Sequence, residues 1–276
     1  MALHKCNCMF VPPRVLENLA RVGVAGARLS IQQSKISRAK RADKLVDMKA
    51  FIGAKSRRKS NRNVYDCQNK WEQRVKLVRG EGKPATGDKD ADQIYKYAGN
   101  VRDYFSKVLK RNSIDNKGMD LILNVHYGED YMNAFWDGDE MTFGDGDGEI
   151  FTSFTQSLDV VAHELAHGVT QFTADLEYFS QSGALNEHFS DVFGSAITQH
   201  VLKQDAGQAD WLVGNEIMGP TLYGEALRSM QAPGMAYDNN LLGKDPQPAH
   251  MNDYYAGNDD NQGVHINSGI PNRAFY

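Results

Sequence analysis

Three features of the 276-residue chain predict an α+β fold with two unlike lobes. Before residue 150, helical and strand patterns mix. Ile94, Tyr97, Val101, Tyr104, Phe105 and Val108 recur at helical spacing within residues 90–110, while residues 119–128 and 133–143 read as strands, with a sheet edge near Asn133. Residues 158–172 then form an apolar run of helical length. After Gly183 the pattern is mainly helical, opening with the stripe Ala184, Leu185, Phe189, Val192, Phe193, Ala196 and Ile197. The apolar helix therefore stands between a mixed lobe and a helical lobe, in the cleft where sites usually form.

The first 63 residues are chemically distinct. They hold 15 Lys and Arg against 3 Asp and Glu, whereas residues 64–276 hold 16 against 32. A basic arm can mean nucleic acid. Here neither an aromatic stacking platform nor a known nucleic-acid-binding motif accompanies the charge, so no nucleic-acid partner is expected. The acidic body of the same chain is the simpler counterpart. Pro12-Pro13 places the chain in extended form and then starts a helix, with Pro13 at the first helical position. Residues 35–63 are basic and poor in aromatics, and read as a mobile junction cut between Lys55 and Val64. Three domains follow: a basic segment at 1–63, a mixed lobe at 64–182 and a helical lobe at 183–276.

Composition excludes some classes. No run of about 18 apolar residues exists, so no membrane span is expected. Met1-Ala2-Leu3-His4 is not followed by an apolar stretch, so a standard secretory leader is not recognisable. Cys6, Cys8 and Cys67 do not make a disulfide framework.

Chemistry concentrates in His163-Glu164-Leu165-Ala166-His167, an H-E-x-x-H pattern inside the apolar helix. Four residues make slightly more than one turn, so both histidines project from one face and can grip one zinc ion. Glu164, beside the first histidine, is placed to act as a base toward water. Two histidines do not complete a catalytic zinc site. Glu187 and Asp191 share a face of the next helix and can point at the first one. Glu187 is read as the third ligand, and Asp191 as the carboxylate that orients a ligating histidine. The other histidines, His4, His126, His188, His200 and His250, carry no comparable setting. His126 reads as an ordinary strand residue, and His188 points about 100° away from Glu187 around the helix.

H-E-L-A-H followed by G-A-L-N-E-x-x-S-D resembles the thermolysin family of zinc endopeptidases, with the match running from about Val64 to the end. Asn133-Ala134-Phe135-Trp136, the Gly144-to-Gly148 turn and Gly263-Val264-His265-Ile266-Asn267-Ser268-Gly269 resemble further segments of that family. The Pro-Pro signature resembles the short prosegment of its protealysin-like members. The resemblance implies a two-lobed zincin fold and cleavage of protein or peptide substrates before bulky apolar residues. It implies oxyanion donors at His265 and Tyr178, a carboxylate supporting His265 at Asp260, and a substrate-carbonyl ligand at Arg228. It implies that Asn133 and Ala134 pair with the substrate backbone. It also implies secretion, and that the basic segment inhibits its own chain. A thiolate from Cys6 or Cys8, near His4, is one expected way of blocking the zinc.

Two further expectations come from departures. The family's calcium ligands are only partly kept: Asp159 and Asp210 match, whereas Thr198, Leu212 and Asn215 stand where the pattern has Glu. At most one Ca(2+) is expected. Asp145 does not open a calcium loop, because the twelfth position is Gln156. The sequence ends eleven residues after His265, where the family continues with more helices. The C-terminal lobe is thus expected to be incomplete, with an apolar face left open and His265 loosely held. A zinc-binding homologue of low activity is the alternative that this raises.

Overall fold

The structure, a computed structural model, describes residues 8–48 and 59–276, and only the backbone of residues 41–48. His4, Cys6 and residues 49–58 of the expected junction lie outside the described residues.

The chain opens with α1 (Pro13–Arg21) and α2 (Ala25–Met48). Pro13 starts α1, and Val15, Leu16 and Leu19 form its buried stripe. Gly23, at φ 98°, ends it: Gly23 N–H bonds the Ala20 carbonyl and Val24 N–H the Leu19 carbonyl, the paired closure of a left-handed helix cap. The expected mobile junction is helical as far as Met48, a correction to the sequence reading. Residues 35–48 contain no Gly or Pro and are rich in Lys, Arg and Ala, which form helices readily whatever their charge.

The mixed lobe follows. Its sheet has the order β2-β1-β3-β5-β4, built from β1 (Arg62–Asp66), β2 (Lys76–Arg79), β3 (Leu121–Val125), β4 (Ala134–Trp136) and β5 (Met141–Phe143). β1, β3 and β5 run parallel; β2 and β4 join antiparallel at either side. β1 begins at Arg62, so the expected boundary at residue 63 falls inside a strand. Residues 133–143, read as one strand, are instead a hairpin. Gly138, at φ 116°, turns the chain, and Asp137 Oδ1 accepts from the N–H groups of Asp139 and Glu140. β4 is thereby left as an edge strand. α3 (Lys89–Lys107) covers the sheet; Asp88 caps it by accepting from Ala91 N–H at 2.9 Å.

α4 (Leu158–Gln171) is buried along nearly its whole length and packs against α5 (Ser180–Leu202), the first helix of the second lobe. Two short hairpins follow, β6 (Leu212–Val213) with β7 (Arg228–Ser229) and β8 (Asp238–Asn239) with β9 (Gly243–Lys244). α6 (Asp259–Asn267) and α7 (Gly269–Phe275) then return to α5.

The N-terminal segment is integrated with this body. Ala27, Ser30, Ser34 and Ser37 make a buried stripe of small residues along α2. Ser30 Oγ accepts from Met132 N–H at 2.8 Å, and Ser34 Oγ lies 3.4 Å from the Tyr131 hydroxyl. A Cβ at Gly26 would stand 2.9 Å from the Asp130 carbonyl, so only glycine allows this approach. Val15, Leu16 and Leu19 join the main core. The described docking contacts are thus apolar and hydrogen-bonded rather than the charge pairing expected from composition.

Candidate active site

α4 and α5 bring three buried donors together. His163 Nε2 and His167 Nε2 are 3.0 Å apart, and the Glu187 oxygens stand 3.5 Å and 3.4 Å from them. A tetrahedral zinc with bonds near 2.1 Å needs donors about 3.4 Å apart. Glu187 Oε2 is buried and makes no hydrogen bond. An orphaned carboxylate oxygen facing two imidazole nitrogens is what a metal ion would satisfy. The set therefore fits zinc.

The far sides of the rings are held as well. His163 Nδ1 donates to Asp191 Oδ1 at 2.9 Å, as expected for Asp191. His167 Nδ1 lies 2.8 Å from Asn186 Oδ1 and 3.0 Å from Ser190 Oγ. Donation from Nδ1 leaves the Nε2 lone pair facing the metal position. Burial, only partly offset by the Glu187 charge, holds the His167 pKa down at about 3, so the ring is neutral and ready to ligate. Burial works to raise the Glu187 pKa, but neighbouring positive charge, that of His265 first, outweighs it and keeps the group ionised. Glu164, next to His163 on α4, is fully buried.

Asp191 is a hub. Arg228 Nη2 reaches its Oδ1 at 2.9 Å and Arg228 Nε its Oδ2 at 2.9 Å. Asn272 Nδ2 donates to Oδ2 at 2.8 Å, and Asn272 Oδ1 accepts from His188 Nδ1 at 2.8 Å. His188, assigned no chemistry from sequence, thus ends a chain leading to a ring that faces the metal. Asn186 and Ser190 carried one usable signal, polar residues four apart inside an apolar stripe. Asn272 carried none, because α7 brings it in from 81 residues beyond Asp191.

His265 closes the opposite wall. Asp260 Oδ2 accepts from its backbone N–H at 2.7 Å and Oδ1 from its Nδ1 at 2.6 Å. The turn that aims Asp260 is left-handed: Asp260, Asn261, Gln262 and Gly263 have φ of 53°, 52°, 63° and 78°. Each non-glycine residue there costs about 1–2 kcal/mol. Such strain persists where surrounding contacts over-determine the backbone. Against the expected looseness, His265 is 3% exposed, and Gln247 Nε2 also donates to its carbonyl. Burial would lower its pKa, but the Asp260 and Glu187 charges raise it to about 9. Tyr178 OH lies 3.1 Å from His265 Nε2 and also hydrogen-bonds Glu187.

The chain itself fills the cleft. Met9 forms an antiparallel bridge with Phe135 on the open edge of β4. Phe10 N–H donates to the Ala134 carbonyl at 3.0 Å, and Val11 N–H to Asn133 Oδ1 at 2.9 Å. Asn133 Nδ2 returns a bond to the Val11 carbonyl at 3.3 Å. His265 Nε2 meets the Met9 carbonyl at 3.0 Å, and Arg228 Nη1 the Phe10 carbonyl at 3.3 Å. The Phe10 ring is buried edge-on to His163, with centroids 5.1 Å apart, beside Phe154 and under Arg228. A Cβ at Gly214 would stand 3.0 Å from that ring, at a φ of 75° that also favours glycine.

Two segments of the chain match models of thermolysin metallopeptidases: residues 32–171 match the catalytic domain and residues 174–276 the alpha-helical domain. The chain belongs to the thermolysin metallopeptidase family. It is 48% identical to an extracellular metalloprotease of Pectobacterium carotovorum subsp. carotovorum, over 98% of this chain and 78% of that one. It is 54% identical to protease PrtS of Photorhabdus sp. (strain Az29), over 78% of this chain and 59% of that one. Among solved structures, the precursor of protealysin, a metalloproteinase from Serratia proteamaculans, superposes with a TM-score of 0.86. That match has 46% identity and covers 98% of this chain and 79% of the precursor. The two-lobed fold expected from the resemblance is thereby established.

Other expected residues of this thermolysin relative stand differently. Cys8 is buried with Tyr178 and Val264, and its sulfur lies within 4.8 Å of ligand atoms of His167 and Glu187. It is disulfide-bonded, so in this state it is not the thiolate expected to block zinc. Asp159 and Asp210 are not among the described groups clustered closely enough to hold an ion. Asp159 accepts from Ser157 Oγ, Val160 N–H and Gly214 N–H, and Asp210 from Leu212 N–H and Asn215 Nδ2. His126 is no ordinary strand residue. It follows β3 at φ 53°, with Nδ1 2.8 Å from Asp145 and Nε2 2.9 Å from Asp88. The hydrogen bond to Asp145 leads the causes that raise its pKa to about 10, against its partial burial. Among the described residues no helix is long and apolar enough to cross a membrane.

Proposed function

We propose that this chain is the latent precursor of a zinc-dependent endopeptidase, blocked by its own N-terminal segment. The observation that carries the reading is the convergence of buried His163, His167 and Glu187 beneath a strand, Met9 to Val11, bonded to the open edge of β4. Bound there, zinc supplies Lewis acidity, polarising a carbonyl and lowering the pKa of water. Glu164 takes the attacking water's proton and passes it to the leaving nitrogen. His265 and Tyr178 donate toward the carbonyl oxygen as charge develops on it. Asn133 and Ala134 hold a substrate backbone by strand addition, largely without regard to side chains. Arg228 fixes the next carbonyl, and the pocket that Phe10 fills accepts the bulky apolar residue after the cut.

Latency is steric. A strand already bonded along β4 denies the edge to other peptides. The prosegment lies ahead of Ser60, before β1, and the helical lobe supplies Glu187, Asp191, Arg228 and His265. Export from the cell belongs to the same reading, supported by relatives named as extracellular. The name of one structural relative, a protealysin precursor, supports the presence of a prosegment. The test is hydrolysis of blocked peptides differing only after the scissile bond. A chain freed of its N-terminal segment should cleave before Phe or Leu, stop on zinc removal and recover on zinc addition. Hydrolysis indifferent to chelation would refute the reading.

A further inference from the structure

We infer that the Met9–Phe10 peptide bond is a self-processing site of the precursor. The inference rests on the reading above and adds that the blocking strand lies in cleavage register. Four contacts fix that register. Phe10 N–H bonds Ala134 O, and its side chain fills the pocket against His163. Its carbonyl meets Arg228, and the carbonyl before it, that of Met9, meets His265 Nε2. The bond between the two carbonyls' residues therefore occupies the position of a scissile bond, in the same chain direction as the proposed substrate.

An inhibitor held in this way is also a substrate. The Met9 carbonyl is polarised by an imidazole whose Nδ1 is bonded to Asp260, with Tyr178 3.1 Å from the same Nε2. In the reaction a water oxygen bonds to the Met9 carbonyl carbon, and the carbon–nitrogen bond to Phe10 breaks. One water proton passes by way of Glu164 to the Phe10 nitrogen. The products are a carboxylate at Met9 and an amine at Phe10, and no further reactant is needed.

The cut does not by itself free the cleft. Val15, Leu16, Leu19 and Ala27 stay buried on the Phe10 side, and Asn18 Nδ2 still bonds the Leu242 carbonyl at 2.6 Å. What it removes is residues 1–9, including Met9 and Cys8, which are 1% and 0% exposed. Until residues 1–9 dissociate, the Met9 carboxylate lies beside the Phe10 amine, so religation competes and the cut accumulates slowly. The predicted species is a nicked, still-docked precursor that begins Phe10-Val11-Pro12.

The experiment incubates the zinc-loaded full chain and follows intact mass and N-terminal sequence. In parallel, a blocked peptide containing Met-Phe is offered to the same preparation after its N-terminal segment has been removed. The expected result is a chain starting at Phe10, formed at a first-order rate unchanged over a tenfold range of protein concentration. Phe10→Leu should retain the cut, and Phe10→Asp should slow it at least tenfold. Hydrolysis of the added peptide with Met9–Phe10 left intact overturns this inference and leaves the proposed function standing. A rate that rises with protein concentration also overturns it, since the cut is then made between molecules. Failure to hydrolyse either bond with zinc bound overturns both.

Discussion

Replacing Phe10 with Ala should turn the silent precursor into a leaky one. Phe10 is 0% exposed and is the side chain that plugs the pocket between His163, Phe154 and Gly214. Truncating a buried Phe to Ala costs about 3–5 kcal/mol, because transfer and cavity terms add. The body of the enzyme loses none of its own residues, so the cost falls on the docked state alone. At about 1.4 kcal/mol per factor of ten, the undocked fraction rises between about 10²- and 4 × 10³-fold. The backbone bonds from residues 9–11 and the apolar face of α1 remain, so the chain still folds and still docks. The assay is the initial rate on a blocked peptide, read before any processing is visible by mass. Activity of uncut Phe10→Ala precursor should rise by at least one hundredfold, with the freed enzyme's rate as the ceiling. An uncut variant as silent as the parent would show that Phe10 is not the plug.

Asn272→Ala should weaken zinc affinity by about 10- to 100-fold in chelator competition, with a smaller loss for His188→Ala, because Asp191 loses a fixed partner. Unchanged affinity in both would remove Asn272 from the account. N-terminal sequencing of the matured enzyme should find its first residue at or before Ser60. Arg102 holds the Ser60 carbonyl at 2.6 Å and Asp120 the Asn61 N–H at 2.7 Å, so a start at Val64 would contradict this. His126 has a folded pKa raised to about 10 from an ordinary 6.5. Its contribution is fully present below about pH 6.5 and is lost as pH rises through about 10, on the order of 1–3 kcal/mol. His126→Gln should flatten the fall in melting temperature over that window; a parallel fall in both proteins would refute it.

The metal side of the site was legible because its spacing is local. His163 and His167 lie one turn apart on one helix, and Glu187 and Asp191 one turn apart on the next. A helical period fixes which residues share a face before any tertiary structure is known. The blocking strand was not legible in detail. Composition pointed to charge as the force that docks residues 1–63, yet Phe10, Val15, Leu16 and a stripe of Ala27, Ser30, Ser34 and Ser37 make the described contacts. Small polar residues at helical spacing in a basic segment are easily taken for a solvated linker. Which residue enters the edge of β4 depends on a pairing across more than 120 residues, with no local signature. The same applies to Asn272, and to His126, whose left-handed backbone sits where a strand pattern simply continues. The hairpin at Gly138, like the Asn186–Ser190 pair, was a local signal passed over: Asp-Gly-Asp inside an apparent strand marks a turn.

Glu164→Gln tests the central claim most directly, through zinc content and peptide turnover measured on the same matured sample. The side chain sits beside the metal donors without being one of them, so its amide should leave binding intact and remove the base. The account predicts one zinc per chain in both proteins, and turnover in the parent alone. Turnover by Glu164→Gln near that of the parent, or a parent that hydrolyses peptides without binding zinc, would contradict it.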